Sequence, residues 1–259
     1  MAIVWDAASG TQGLAVNSLT WSHTMGAGSG GILWVGTGRS SSRAVNSVTF
    51  NGVNLTHVLT YEFGGSRSDL WALASPASGT HDIVVTYDSV AFGNCSAASY
   101  TGASGAFPDA TGSGNGLVFP TSISFATTTA ADNAWVVGYV ASDNAAETYT
   151  AGSGTTLRDQ QAQGGQAISG ALFDSNGAVS PAGANTLTIN LAGSSSISSG
   201  QTVSFAPAVA AGQPTTKRWG GIPHMGTQKL KGGVRGGPWG RTQSHIIVPR
   251  WLADERQAA

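Results

Sequence analysis

Side chains able to act as nucleophiles, acids or bases occur throughout the chain, but their spacing assembles no familiar machinery. Serines are abundant, yet none sits in a Gly-x-Ser-x-Gly elbow between a strand and a helix. Ser22-His23 and His81-Asp82 are adjacent pairs in stretches that read as strands. Neighbours in a strand point to opposite faces, so neither pair forms a dyad by itself. Glycoside hydrolysis needs two carboxylates flanking a cleft. The candidates are Glu62, Asp69, Asp88, Asp109, Asp143 and Glu147, and nothing in their spacing unites two of them. The five histidines (His23, His57, His81, His224, His245) lack the close pairing of a metal site. Asp132-Asn133 and Asp143-Asn144 carry loop oxygens that suit calcium, but they match no calcium-loop spacing and read better as turns. Gly26–Gly31 is glycine-rich but precedes a strand, so no helix terminus awaits a phosphate there. The expectation is a protein that is not an enzyme, with no catalytic residues, no metal and no cofactor.

The elements that would carry these residues read as strands. Of the 259 residues, 41% are hydrophobic and only 10% charged, with 37 glycines. Scarce Glu and Lys and abundant small residues favour short strands joined by turns over helices. The alternation predicts a strand over Leu14–Met25, with Leu19, Trp21 and His23 on one face. Ile32–Gly36 is a continuous apolar run, as in a strand buried on both faces. Val45–Phe50 and Val53–Val58 flank Asn51-Gly52, a dipeptide suited to the two positive φ angles of a type I′ hairpin turn. Further strands are expected at Asp69–Ala74, Thr80–Tyr87, Phe92–Tyr100, Leu117–Thr127, Ala134–Val140, Gln166–Phe173, Thr186–Leu191 and Thr202–Ala206. Thr101–Gly116 reads as a loop, and Ala141–Gly165 as polar with one short strand near Glu147–Thr150. Regular short strands predict an all-β sandwich or barrel. The expected organisation is a single antiparallel β-sandwich over residues 1–207, followed by a linker and extended arm over 208–259. The alternative is two smaller domains divided near 105–116.

Charge divides the chain in the same place. Residues 1–216 hold four basic and eleven acidic side chains, a net of −7, whereas 217–259 hold eight and two, a net of +6. A basic tail of this kind seeks an acidic partner. Its Lys217, Arg218, Lys229, Lys231, Arg235 and Arg241 are interspersed with Trp219, Met225, Trp239 and Trp251. Arginine and tryptophan are favoured anchors of protein interfaces. These ten residues are the candidate partner-binding set. Basic residues beside aromatic rings also suit single-stranded nucleic acid, but the acidic body would repel it, so docking on protein is the stronger reading. Ile246–Val248 has the composition to add a strand to a neighbour's edge, and Trp251–Gln257 to form a short helix. Cys95 stands alone and reads as a small buried hydrophobe. No segment approaches the roughly 20 apolar residues of a membrane span, and MAIVWDAASG has no signal-peptide pattern.

Three segments together carry a resemblance: LTWSHTMGAGSGGILWVGTG (Leu19–Gly38), SVTFNGVNLTHV (Ser47–Val58) and LWALASPASGTHDIVVTY (Leu70–Tyr87). In order and spacing they resemble jelly-roll-like β-sandwich modules of tailed-phage structural proteins and bacterial surface proteins. The match spans residues 14–104 closely and extends more loosely to about 207. The arm segment KRWGGIPHMG (Lys217–Gly226) also looks like tail segments of phage structural proteins. The resemblance implies a scaffold or adhesive role and supplies no catalytic residues. Without a signal peptide, the phage branch is favoured. The expectation is a virion structural protein, such as a capsid decoration protein, made in a host cytoplasm. Its expected partners are other virion proteins and copies of itself, bound through the arm. The alternative is a carbohydrate-binding or adhesion module of a tail or head fibre, with exposed strand tryptophans stacking on host glycan. Trp21, Trp34, Trp71 and Trp135 are its candidates, although Trp34 and Trp71 lie in apolar runs that suit a core.

Overall fold

A computed structural model describes residues 1–40, 43–117, 121–144, 147–162, 168–192 and 197–209. The described residues form an all-β, antiparallel sandwich, as the strand spacing predicts. The first seven strands are β1 (Val4–Met25), β2 (Ile32–Ser40), β3 (Val45–Phe50), β4 (Val53–Asn54), β5 (Thr56–Phe63), β6 (Ser66–Ala74) and β7 (Gly79–Thr101). They make one sheet in the order β4-β3-β7-β2-β6-β5, with β1 along the other side of β7. The remaining strands are β8 (Ala110–Leu117), β9 (Ser122–Thr128), β10 (Trp135–Ser142), β11 (Tyr149–Ala151), β12 (Thr156–Ala162), β13 (Ser169–Asp174), β14 (Ala184–Leu191) and β15 (Ile197–Phe205). They form a five-stranded sheet, β12-β13-β10-β15-β8, and a three-stranded sheet, β11-β14-β9.

The two longest strands organise the first sheet. β7 replaces the two strands expected at Thr80–Tyr87 and Phe92–Tyr100 with a single run. Its first half pairs with β3 and its second half with β2, while β1 follows it on the other side. The register of β1 on β7 slips between Trp5 and Ala7 and again between Gly13 and Ser18. One core lies on one face of β2 and β6 and joins Leu33, Val35 and Trp71 to Leu19, Val48, Phe50, Ile83 and Val85. A second core fills the opposite face, between the first sheet and the five-stranded sheet: Ile32, Trp34, Leu70 and Tyr100 meet Val137, Tyr139, Leu172, Val203 and Phe205. A third packs the five-stranded sheet against the three-stranded one, through Val136, Val140 and Phe173 against Phe125, Leu187 and Ile189. Strands β2, β6, β10 and β13 are therefore buried on both faces, which explains their unbroken apolar runs.

Several elements differ from the sequence reading for identifiable reasons. The expected loop Thr101–Gly116 contains β8, whose Gly-, Ser- and Thr-rich sequence hides any alternation. A Cβ on Gly114 would stand 2.7 Å from the Ser124 carbonyl oxygen, so the close approach of β8 to β9 demands glycine there. β12 lies within the polar stretch Ala141–Gly165; it is an edge strand, and its outward residues need no apolar pattern. The expected pairing of Val53–Val58 with Val45–Phe50 lasts only two residues, Val53 and Asn54. β5 then crosses to pair with β6. The turn itself follows expectation, with φ of 50° at Asn51 and 75° at Gly52. Leu117 ends β8 instead of opening β9.

Cys95 is buried, and burial pushes its thiol pKa up to about 12 despite the nearby Tyr87 hydroxyl, 3.5 Å from its sulfur. The native protein should therefore leave a disulfide-exchange reagent at neutral pH unreacted, with one thiol released on denaturation. Rapid labelling of the folded protein would contradict this burial.

Candidate interaction surface

The ten residues expected to bind partners, Lys217, Arg218, Trp219, Met225, Lys229, Lys231, Arg235, Trp239, Arg241 and Trp251, lie outside the described residues. What the structure does describe is the ground from which that segment departs. Strand β15 ends at Phe205, and the chain then runs back beside the N-terminus. The Ser104 amide donates to the Ala206 carbonyl (2.7 Å), and the Ala208 amide to the Gly102 carbonyl (2.8 Å). The Met1 ammonium donates to the Ala208 carbonyl at 2.6 Å. Both ends of the described body are thus fixed side by side.

A cleft of about 700 Å³ opens at this junction, lined by Met1, Ile3, Asn133, Trp135, Gly177 and Val209 among others. Met1 and Val209 in its lining are exposed, as is Val4 next to Ile3, and Trp5 is 40% exposed. Trp5 is held by the Arg158 guanidinium, 4.8 Å from its ring centroid. Arg158 donates to the Asp174 carboxylate at 2.6 Å, and the Tyr100 hydroxyl donates to the same carboxylate at 2.8 Å. Burial raises the Tyr100 phenol well above its ordinary pKa, and Asp174 beside it adds to the shift. These contacts suit packing and hydrogen bonding; they place no activated nucleophile. The apolar start MAIVW was the available sequence signal for this surface.

The polar residues weighed for chemistry are placed elsewhere. The Ser22 hydroxyl donates to Asp82 at 2.9 Å on the exposed face, while His23 and His81 lie opposite each other on the other face of the strands, with the Phe50 ring beside both. The Ser22–Asp82 pair therefore does not converge with either histidine. The Asp132 carboxylate accepts from the Ala182 amide at 2.7 Å, and Asp143 from the Ile197 amide at 3.0 Å. Both act as loop braces. Among the described residues, no group of three His, Cys, Asp or Glu side chains is placed to hold a metal ion. Trp34, Trp71 and Trp135 are buried, and Trp21 is half-buried with its indole donating to Ser9 at 3.0 Å. The described strands therefore present no row of exposed tryptophans for stacking on sugar. No family model matches the chain, and no curated protein or solved structure matches it.

Two buried polar groups lie within the first sheet; the sequence offered Asp69 and His23 as separate candidates but not their buried partners. Arg39 on β2 pairs with Asp69 on β6, both 1% exposed. Thr37 and Thr60 donate to the same carboxylate, and the His57 and Arg67 side chains approach it at 3.5 Å. Burial acts to raise the Asp69 pKa, but the His57 hydrogen bond, the Arg39 charge and Thr60 outweigh it and hold the carboxyl below its ordinary value. The second group is His23. Burial lowers its pKa to about 4, against the opposing pull of Asp6. Its Nδ1 lies 2.8 Å from the Ser9 hydroxyl, and its Nε2 has no partner.

A histidine that folds neutral but titrates near 6.5 when unfolded makes the unfolded chain the better proton binder between those values. Stability should therefore fall as pH drops from 6.5 to 4, by about 3 kcal/mol from this residue, and level off below. His23→Met should remove that portion of the slope in thermal melts, while the Asp69 contribution is lost only at more acid pH. An unchanged slope in the variant would show that another group carries it.

Proposed function

We propose that the protein is a non-enzymatic structural protein of a tailed-phage particle, a capsid decoration or other surface protein, held to neighbouring subunits by its C-terminal arm. The observation that carries this reading is the division of charge: a net of −7 over residues 1–216 and +6 over 217–259. Opposite patches on repeated copies attract and guide assembly, which a uniformly acidic chain could not do. Three stacked cores support it, since a body closed around them needs no partner for its own folding. The apolar rim at the junction of the chain ends supports it too, as a surface suited to burial against protein. An arm of about 45 residues reaches beyond roughly 100 Å when extended, enough to cross one subunit. Ordering its glycines opposes binding, so preformed sites on the partner must offset that cost.

The test is a density map of the assembled particle at side-chain detail. The expected result is residues 213–259 running over a neighbouring subunit, with Trp219 and Trp239 seated in its surface. An arm that touches only its own body would overturn the reading.

A further inference from the structure

Strand β1 is a sheet edge of 22 residues, and among the described residues nothing pairs with its outer side. Such an edge is a template for another strand, and folded proteins normally guard it with lysine, proline, shortness or a cover. Most other edges are guarded, and the uncharged edges β8 and β9 lie against each other. β4 has two residues and β11 three. β12 carries Arg158 and Asp159. On β5 the Leu59 carbonyl accepts from Gln201 at 3.1 Å. β1 contains no lysine, arginine or proline. Its single carboxylate, Asp6, is turned to the Gly26 amide and the Ser99 hydroxyl, both at 2.8 Å. Beyond the register slips, Ser18–Met25 pairs with Gly79–Thr86 in an uninterrupted register. Along it Ser18, Thr20, Ser22 and Thr24 are exposed, and Trp21 is only half-buried.

We infer that the Ser18–Met25 edge of one copy receives the Ile246–Val248 segment of a neighbouring copy as an added antiparallel strand. The inference rests on the assembly reading above and names the surface it uses. Three features select this occupant. Ile246-Ile247-Val248 is a β-branched run with no charge of its own, suited to a strand. Arg241 and Arg250 flank it, while the exposed carboxylates Asp82 and Asp88 lie on β7, the strand next to the receiving edge. Ile246 follows the last described residue, Val209, by 37 positions, a tether reaching roughly 120 Å at most. That length spans to another copy without strain. Backbone hydrogen bonds would supply the affinity, and covering Trp21 would add to it.

Hydrogen exchange on the purified full chain tests this, at low and high protein concentration, beside the Ile247→Pro variant. Proline removes an amide donor and spoils an added strand. Circular dichroism establishes that the variant's body is folded. The expected result is exchange of the Ser18–Met25 amides slowing by about tenfold as concentration rises, with no slowing in the variant. Slowing of equal size in the variant would mean β1 pairs with β1 of a second copy and would overturn the inference. Protection independent of concentration but lost in the variant would place the segment on its own chain and overturn it likewise. So would the absence of any slowing. Particle incorporation separates this failure from failure of the assembly reading: if Ile247→Pro incorporates normally while removal of the whole arm abolishes incorporation, the arm's role stands and this docking edge does not.

Discussion

Asp69→Ala should destabilise the body by about 3–5 kcal/mol, because it leaves the Arg39 guanidinium buried without a counter-charge. Arg39 also donates to the Arg43 carbonyl, so its side chain is fixed and cannot swing to water cheaply. Thr37 and Thr60 lose their acceptor in the same change. The double variant Arg39→Met with Asp69→Leu should recover most of the loss, since an apolar pair of similar volume removes the uncompensated charge. Denaturant unfolding of Arg39→Met, Asp69→Leu and the double variant measures this. Additive losses would show that the pair contributes through separate contacts and would contradict the coupling.

Gly36→Ala should cost about 3 kcal/mol, a large effect for one added methyl. Gly36 on β2 faces the five-stranded sheet, and the Tyr139 ring lies directly on it. A Cβ at Gly36 would overlap the root of that ring, which cannot move away as a flexible chain end could. Tyr139 is pinned from its far end as well: its hydroxyl donates to the Asn94 side chain and lies above Gly170, where another Cβ would collide. Burial lifts the Tyr139 phenol well above its ordinary pKa, so it stays a neutral donor. This tyrosine, bedded between two glycines, sets the spacing between the two largest sheets. Tyr139→Leu should make Gly36→Ala far less damaging than it is in the native background. A double-mutant cycle with no coupling would contradict the packing described.

These two positions show what a sequence can and cannot disclose. Ile32–Gly36 was readable as a strand buried on both faces, because five unpunctuated residues have no solvent side. That Gly36 is needed for a tyrosine about a hundred residues away was not readable, since the contact exists only once the sheets stack. Arg39 and Asp69 were visible only as charges; their pairing depends on the β2–β6 register, in which Thr37 faces Asp69. β8 was lost for the opposite reason: close backbone packing selects Gly and Ser, which look like a loop. The surface assigned to partner binding was legible as composition alone, through charge and tryptophan, and its residues from Lys217 to Trp251 lie beyond the described body.

Under the proposed function, the acidic β body folds by itself and joins a particle only through its basic arm. A chain ending at residue 211, produced beside the full-length protein during particle assembly, tests it most directly. The expected result is a soluble truncated protein that melts cooperatively and is absent from purified particles, while the full chain is present in them. Truncated protein incorporated to the same level as the full chain would contradict it.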